Sequence, residues 1–401
     1  MNDYRKIWTG SAASNLADGV TFVALPLLAA TMTDEPLKIA ALSVAYTVPR
    51  LLSVLGIGVV VDRFDRRKLL YWANFSRSAL FAGLTALVLT ETATLIALYV
   101  VYAVMGVVET LSDSTAVAVL PQAVHSSQLD RANSQITGTQ VVVDEFLGPP
   151  LGGFLFALAA FVPSLLNVCA FVLAALAFFS LRGTYTVPAH CDPGSRPSFV
   201  QQVREGIAWA WSNAIVRTLI LIGGLASIGY MIPFSYLVLY AGDVLGLGPT
   251  GYGLLLSASA VGGVLGSLVA APVRRRIGYR WTITAALIVG AGSFAAIAVV
   301  ENAWVVGFLL ATYIGHAVVW NIMAVSIRQK VTPAAMMGRV GSVSRLIGIG
   351  GLAIGAGLGG LLATWFGYQT PFAVAAGFFG LCLVLMALAS GHFTRFERDV
   401  A

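Results

Sequence analysis

Charge is what this chain has least of: of 401 residues, 10% are Asp, Glu, Lys or Arg, against 58% hydrophobic. A soluble domain carries roughly 25% charged residues. With a mean hydropathy of +0.85 the chain lacks the polar surface to stay in water. Apolar runs of about 20 residues recur end to end, each long enough to cross a bilayer as a helix, which excludes one large soluble core. Cysteine is nearly absent as well. Cys169, Cys191 and Cys382 are scattered, with no paired framework or metal-ligand spacing, and are expected as free thiols. There is no Walker-type loop, His/Cys ligand set or nucleophile–base pair, so neither an enzyme, a resident cofactor or metal, nor ATP-driven work is expected of this chain.

What charge there is has a pattern. The formal net charge of +6 does not point to nucleic acid, because the cations fall at alternate span boundaries. They cluster at Arg5 and Lys6, Arg63 to Lys68, Arg131, Arg182 to Arg217, Arg274 to Arg280, Arg328 to Arg345, and Arg395 with Arg398. The intervening loops hold Lys38 alone, beside Asp34, Glu35, Glu91, Asp243 and Glu301. This positive-inside asymmetry places both termini in the cytoplasm. The run from Ile7 past Met32 is too long for a cleaved signal peptide and reads as a first span.

About twelve spans follow, near 7–31, 39–61, 69–90, 94–118, 136–160, 162–181, 216–240, 250–272, 281–300, 303–326, 346–364 and 371–390. The expected fold is an all-α polytopic membrane protein of two pseudo-symmetric six-helix bundles, 1–181 and 216–401. A cytoplasmic linker, 182–215, joins them. The linker opens Pro/Gly-rich and ends in an amphipathic helix around Phe199 to Trp211, placed either on the inner leaflet or beneath the bundle. Duplication is supported by two echoes. Gly58-Val-Val-Val-Asp62-Arg63-Phe-Asp65-Arg66-Arg67-Lys68 recurs in weaker form at Ala271 to Arg280, and Leu120 to Ser134 is echoed by Arg328 to Ser342. Parallel repeats with a site at their interface are what this implies.

On these residues the chain resembles the major facilitator superfamily over nearly its whole length. The Gly58–Lys68 loop matches the family signature between the second and third spans. Asp65 in place of its usual second Gly is a departure associated with the bacterial drug-exporter branch that includes macrolide and siderophore exporters. The resemblance implies that Gly58, Asp62, Arg63, Arg66 and Arg67 form a cytoplasmic gate, with Asp62 latching the halves. Arg275 at the matching position makes any latch one-sided. Gly148-Pro149-Pro150-Leu-Gly152-Gly153 resembles the antiporter motif of exporters, with Asp144 where a leading Gly is usual. Small faces at Gly148, Gly152 and Gly153 admit a neighbouring helix, and the prolines bend this one. Tyr102 and Met105 stand where the exporters' fourth-span motif would have Arg and Gln, so coupling has to be argued from other residues.

Ionisable groups inside spans cost a few kcal/mol at the bilayer centre and need a reason. Asp18 and Arg50 lie at similar depth, about 16 Å in, and are expected to pair, with Asn15 one turn from Asp18. Glu109 and Asp113 share a helix face. Asp144 and Glu145 project about 100° apart, with Arg77 a possible partner. A cavity acid that alternates between apolar surroundings and a nearby Arg can load and release a proton. The candidates, in order, are Glu145, Asp144, Glu109 and Asp18. Asn15, Arg50, Tyr230, Tyr236, His316, Trp320 and Asn321 are candidate substrate-cavity residues, the aromatic second half suiting a lipophilic substrate, cations included. The expected protein is a monomeric secondary exporter in a bacterial cytoplasmic membrane, driven by proton antiport, with small molecules, protons and lipid as partners. An uptake permease on the same fold and a non-transporting receptor or scaffold are the alternatives.

Overall fold

The computed structural model describes residues 2–125, 128–183, 185 and 199–400. Cys191 and the Pro/Gly-rich start of the linker lie outside them. Among the described residues there is no strand.

The helices are α1 (Asn2–Ala30), α2 (Pro36–Arg63), α3 (Arg66–Leu89), α4 (Leu95–Ala123), α5 (Leu129–Gln140), α6 (Gly148–Leu158) and α7 (Val162–Phe179). A π-helical segment, Val141–Leu147, joins α5 to α6 into one pass. Then come α8 (Phe199–Ser212), α9 (Ala214–Phe234), the short α10 (Leu237–Leu239), α11 (Pro249–Ile297), α12 (Ala303–Val331), α13 (Met337–Phe366), α14 (Thr370–Leu388) and α15 (Ser390–Val400). Among the described residues ten helical segments are long and apolar enough to cross a membrane. α11, at 49 residues, would span about 73 Å if straight, more than twice a hydrocarbon core. It is two passes broken at Gly278, whose φ of +80° suits glycine and whose missing side chain makes room for Glu397. With α3, the passes among the described residues number twelve, as expected of an all-α polytopic protein of the major facilitator fold.

The loops on the basic side are shorter than the sequence suggests. α2 and α3 are separated by Phe64 and Asp65 alone. Asp65 caps α3, accepting the Arg67 backbone N–H at 2.9 Å. α5 begins at Leu129, where a loop was expected to reach about 136, and the 274–277 stretch expected as loop continues α11.

Contacts divide the chain into two compact units: Met1–Asp34 with Ala45–Pro193 and Leu247–Ser257, and Glu35–Val44 with Gly194–Gly246 and Ala258–Ala401. At one end the first unit has a core of Ile7, Leu70, Val119, Leu120, Ala174 and Phe178. In the second, α13 packs on α9 through Gly351, Gly355 and Gly359, four residues apart on one face and seated on backbone or side-chain atoms of α9. These three glycines therefore serve close packing, while Gly350 and Gly357 face open space. α8, in the linker, packs on the start of α13. Gly206 abuts the Arg339 carbonyl, Glu205 pairs with Arg339 at 2.6 Å, and Ala210 shares a core with Val216, Ile220, Val340 and Val343.

Candidate functional site

In the first unit, five elements bring ionisable groups together. α1 carries Ser14 and Asp18, α2 carries Tyr46 and Arg50, α3 carries Arg77, α4 carries Glu109 and Asp113, and the π-helical segment carries Asp144 and Glu145. Arg77 is the hub, 1% exposed. Its Nη1 donates to Ser14 Oγ at 2.8 Å, and its Nη2 donates to Asp18 Oδ1 at 3.1 Å and lies 3.6 Å from Glu109 Oε2. The Phe171 ring lies 4.8 Å from its guanidinium carbon, a cation–π contact that adds to the burial.

Glu109 joins this hub to a second guanidinium. Its Oε1 accepts from the Tyr46 hydroxyl at 2.6 Å, and that hydroxyl accepts from Arg50 Nη1 at 2.7 Å. Arg50 also lies 3.6 Å from Glu109 and 3.9 Å from Asp113. Gly106 makes this meeting possible, since a side chain there would strike the Tyr46 carbonyl.

The pairing expected from depth alone, Asp18 with Arg50, is therefore replaced. Asp18 belongs to Arg77, and Arg50 to Glu109 and Asp113. Depth along a helix fixes height in the membrane but not azimuth, and α4 presents two carboxylates, a turn apart, to α2. Tyr46 escaped the sequence reading altogether. The signal was there: a tyrosine four residues before an intramembrane Arg occupies the same helix face.

Asp144 lies within electrostatic reach of Glu109, Glu145, Asp113 and Arg77 but has no ion pair of its own among the described residues. Glu145, first among the sequence candidates, points to the exposed surface. The backbone of Asp144 rests on Gly19, and Gly148 rests on the same residue, its absent Cβ standing 2.6 Å from Gly19 Cα. Gly152 follows against Val20, Gly153 against Pro249.

The Gly-Pro-Pro element also accounts for the π-helical turn. A proline lacks the N–H that would bond the carbonyl four residues back, and its ring clashes with that carbonyl in an α-helix. Widening residues 141–147 to π geometry relieves the conflict at Glu145 and Phe146, where a bend had been expected. The Phe146 carbonyl, deprived of Pro150, accepts instead from Ser257 Oγ at 2.8 Å. π-bulges recur at functional sites, and this one displays two carboxylates.

The remaining candidates are spread more widely. Asn15 is half-buried on α1. Tyr230 stacks near Phe234 and Tyr313 in the second unit, with Trp320 half-buried and Asn321 exposed on α12. Tyr236 is fully buried, its hydroxyl donating to the Tyr368 carbonyl at 2.7 Å, and so belongs to the core. His316 is packed among Tyr313, Phe379 and Gly290, with Nδ1 against the Tyr313 carbonyl.

The residues expected as a gate loop lie instead on helix ends, Gly58, Asp62 and Arg63 on α2 and Arg66 and Arg67 on α3; Gly58 and Arg63 are exposed, and the Asp62 side chain lies outside the described residues. Arg66 donates to the Ala118 carbonyl at 2.9 Å and Arg67 to that of Phe179. Arg67 thus sits at the C-terminal end of α7, where the backbone dipole favours it. Among the described residues no group of His, Cys, Asp and Glu is arranged to hold a metal.

A family profile described as "Transmembrane secretion effector" matches residues 1–400. The chain belongs to that family, within the major facilitator superfamily. It is 26% identical to the enterobactin exporter EntS of Citrobacter koseri over 404 aligned positions, covering 98% of this chain and 93% of that protein. Among solved structures it is similar to the nucleoside transporter NupG, with a TM-score of 0.76 at 14% identity, covering 97% of this chain and 99% of that one. A bacterial homologue of the iron transporter ferroportin in an inward-facing state gives 0.73 at 19% identity, covering 96% and 98%. At such identities the structures speak for fold. The family makes the chain a multi-pass secondary transporter in the membrane, acting on small molecules.

Proposed function

We propose that the chain is a proton-coupled exporter of small, lipophilic molecules, working by alternating access between halves 1–181 and 216–401. The carrying observation is the charge balance of the first unit. Two guanidiniums, Arg50 and Arg77, face Asp18, Glu109 and Asp113 within 4 Å, and Asp144 stands beside them unpaired. With every carboxyl ionised the cluster holds an excess of negative charge that the low-dielectric interior disfavours. Taking up a proton removes it, and Asp144, on the π-helical turn next to Gly148 and Pro149, is the group where uptake disturbs no existing ion pair. Asp144 thus leads Glu145 as carrier, with Asp18 and Glu109 as the fixed partners that sense its charge.

Export rather than uptake is supported by the Gly-Pro-Pro element and by the name of the relative from Citrobacter koseri. In this orientation the basic loops and both termini are cytoplasmic, the membrane is a bacterial inner membrane, and the functional unit is one chain.

Inside-out vesicles with a respiration-generated acid interior, reported by a pH dye, test this. Lipophilic compounds are added in turn to vesicles carrying the parent chain, Asp144→Asn or Glu145→Gln. Dequenching by at least one compound, lost in Asp144→Asn and retained in Glu145→Gln, is the expected result. Flux only in the opposite direction would establish an uptake permease, and gradient-driven flux with full coupling in Asp144→Asn would remove the proposed carrier.

A further inference from the structure

On the Tyr4 side of the Gly19–Gly148 contact, α1 and α5 stand apart and flank an open cavity of about 830 Å³. That is the size of a small-molecule pocket, roughly 300–1,000 Å³. Two rungs hold its walls in register. The Tyr4 hydroxyl donates to Gln135 Oε1 at 2.6 Å, and Trp8 Nε1 donates to Thr139 Oγ1 at 2.8 Å. Each rung is four residues from the other on both helices, so they stack one turn apart. The polar tips of both rings are thereby occupied, and their apolar faces are left to the cavity. Arg5 also lines it, exposed and without a hydrogen bond or ion pair among the described residues, and no carboxylate is among the lining residues.

The wall opposite is formed by α5, which presents Ser134, Gln135, Gly138 and Thr139 to the cavity. Past Thr139 the wall turns apolar at Val142 and Val143, one residue short of Asp144. The groove therefore runs from the Arg5 guanidinium past the Trp8 indole to the valines that precede Asp144 in the chain.

We infer that this cavity is a loading site for an organic anion with a flat, apolar body. The acid group rests on Arg5, the flat body on Trp8 and the valines. Cargo captured here on the cytoplasmic side passes along α5 to Asp144. The loading role rests on the exporter reading above; the binding does not.

The test uses the full chain in phosphatidylcholine nanodiscs and equilibrium dialysis of 2-naphthoate, with 2-naphthylmethanol and 2-naphthylmethylammonium as neutral and cationic counterparts. Naphthoate should bind saturably and more tightly than either. Nothing lies within 4 Å of a side chain added at Gly138, so Gly138→Leu intrudes on the cavity without forcing the backbone and should weaken binding. Arg5→Ala should weaken naphthoate about threefold to fivefold, the size expected of one exposed ion pair, leave the alcohol unchanged, and be rescued by Arg5→Lys. No saturable binding, equal binding of all three compounds, or parent-like binding by Gly138→Leu would each overturn the inference. The vesicle assay on the parent chain keeps the two readings apart. Naphthoate binding that persists while no compound drives export sinks the exporter and leaves this site; export without naphthoate binding sinks this site alone.

Discussion

Asp18 and Arg77 should be thermodynamically coupled, and Asp18 and Arg50 should not be. Arg77 is 1% exposed and 3.1 Å from Asp18, so replacing it with Leu leaves Asp18 without its counter-charge, while Glu109 keeps Arg50. Breaking a buried pair from one side costs about 3–5 kcal/mol. Asp18→Asn in the Arg77→Leu background should restore part of that, because the stranded charge is gone, giving a coupling energy of about 2–3 kcal/mol. Arg50, at 25% exposed and 3.6–3.9 Å from its carboxylates, is worth about 1 kcal/mol or less to them. Its cycle with Asp18 should lie within about 0.5 kcal/mol of additivity. Arg77→Lys should recover little, since one ammonium cannot serve Ser14, Asp18 and Glu109 in the fork geometry of a guanidinium. The assay is reversible unfolding in mixed micelles, read by the loss of helical signal, on the single and double variants of both cycles. A larger coupling for Asp18 with Arg50 than with Arg77 would refute the assigned pairing and, with it, the charge balance on which the carrier role of Asp144 is argued.

Further variants probe the rest of the site. Tyr46→Phe removes the hydroxyl that links Arg50 to Glu109 and should cost about 1.5–3 kcal/mol of stability, as expected for hydrogen bonds to charged groups; parent-like unfolding would show the link to be idle. Gly19→Val drives a side chain into the Asp144 backbone and Gly148, so it should abolish transport and cut the yield of folded protein more than Gly138→Val, where space is open. Asp65→Ala removes the cap of α3 and should lower stability by about 1 kcal/mol, while Asp65→Asn stays near the parent; equal losses would point to charge rather than capping. Gly278→Ala places a side chain 2.6 Å from Glu397 at positive φ and should destabilise the chain, with Glu397→Ala in the same background relieving the contact but not the backbone strain.

Much of this protein is legible in its sequence, for a reason particular to membranes. A bilayer demands that every backbone group be satisfied within its own segment, so apolar length alone marks α4, α7 and α14. The spacing of cations likewise marks which ends the basic loops occupy. The local motifs were legible too: Asp65 before three cations is a helix cap as much as a signature departure, and Gly148, Gly152 and Gly153 announce a close helix contact. Boundaries were less so, because a helix such as α2 or α11 continues past the hydrocarbon edge on its own hydrogen bonds.

What the sequence alone determined is the set of passes, their depth and the small residues at which they touch. Azimuth was decided by tertiary packing. Which face Asp18 shows to α3, that Gly106 brings Glu109 onto Tyr46, and that two prolines widen residues 141–147 until Asp144 turns inward and Glu145 outward all depend on how neighbouring helices are rotated. Rotation about a helix axis costs little in a uniformly apolar solvent. It is set by contacts between residues far apart in the chain, and one sequence read along its length does not contain them.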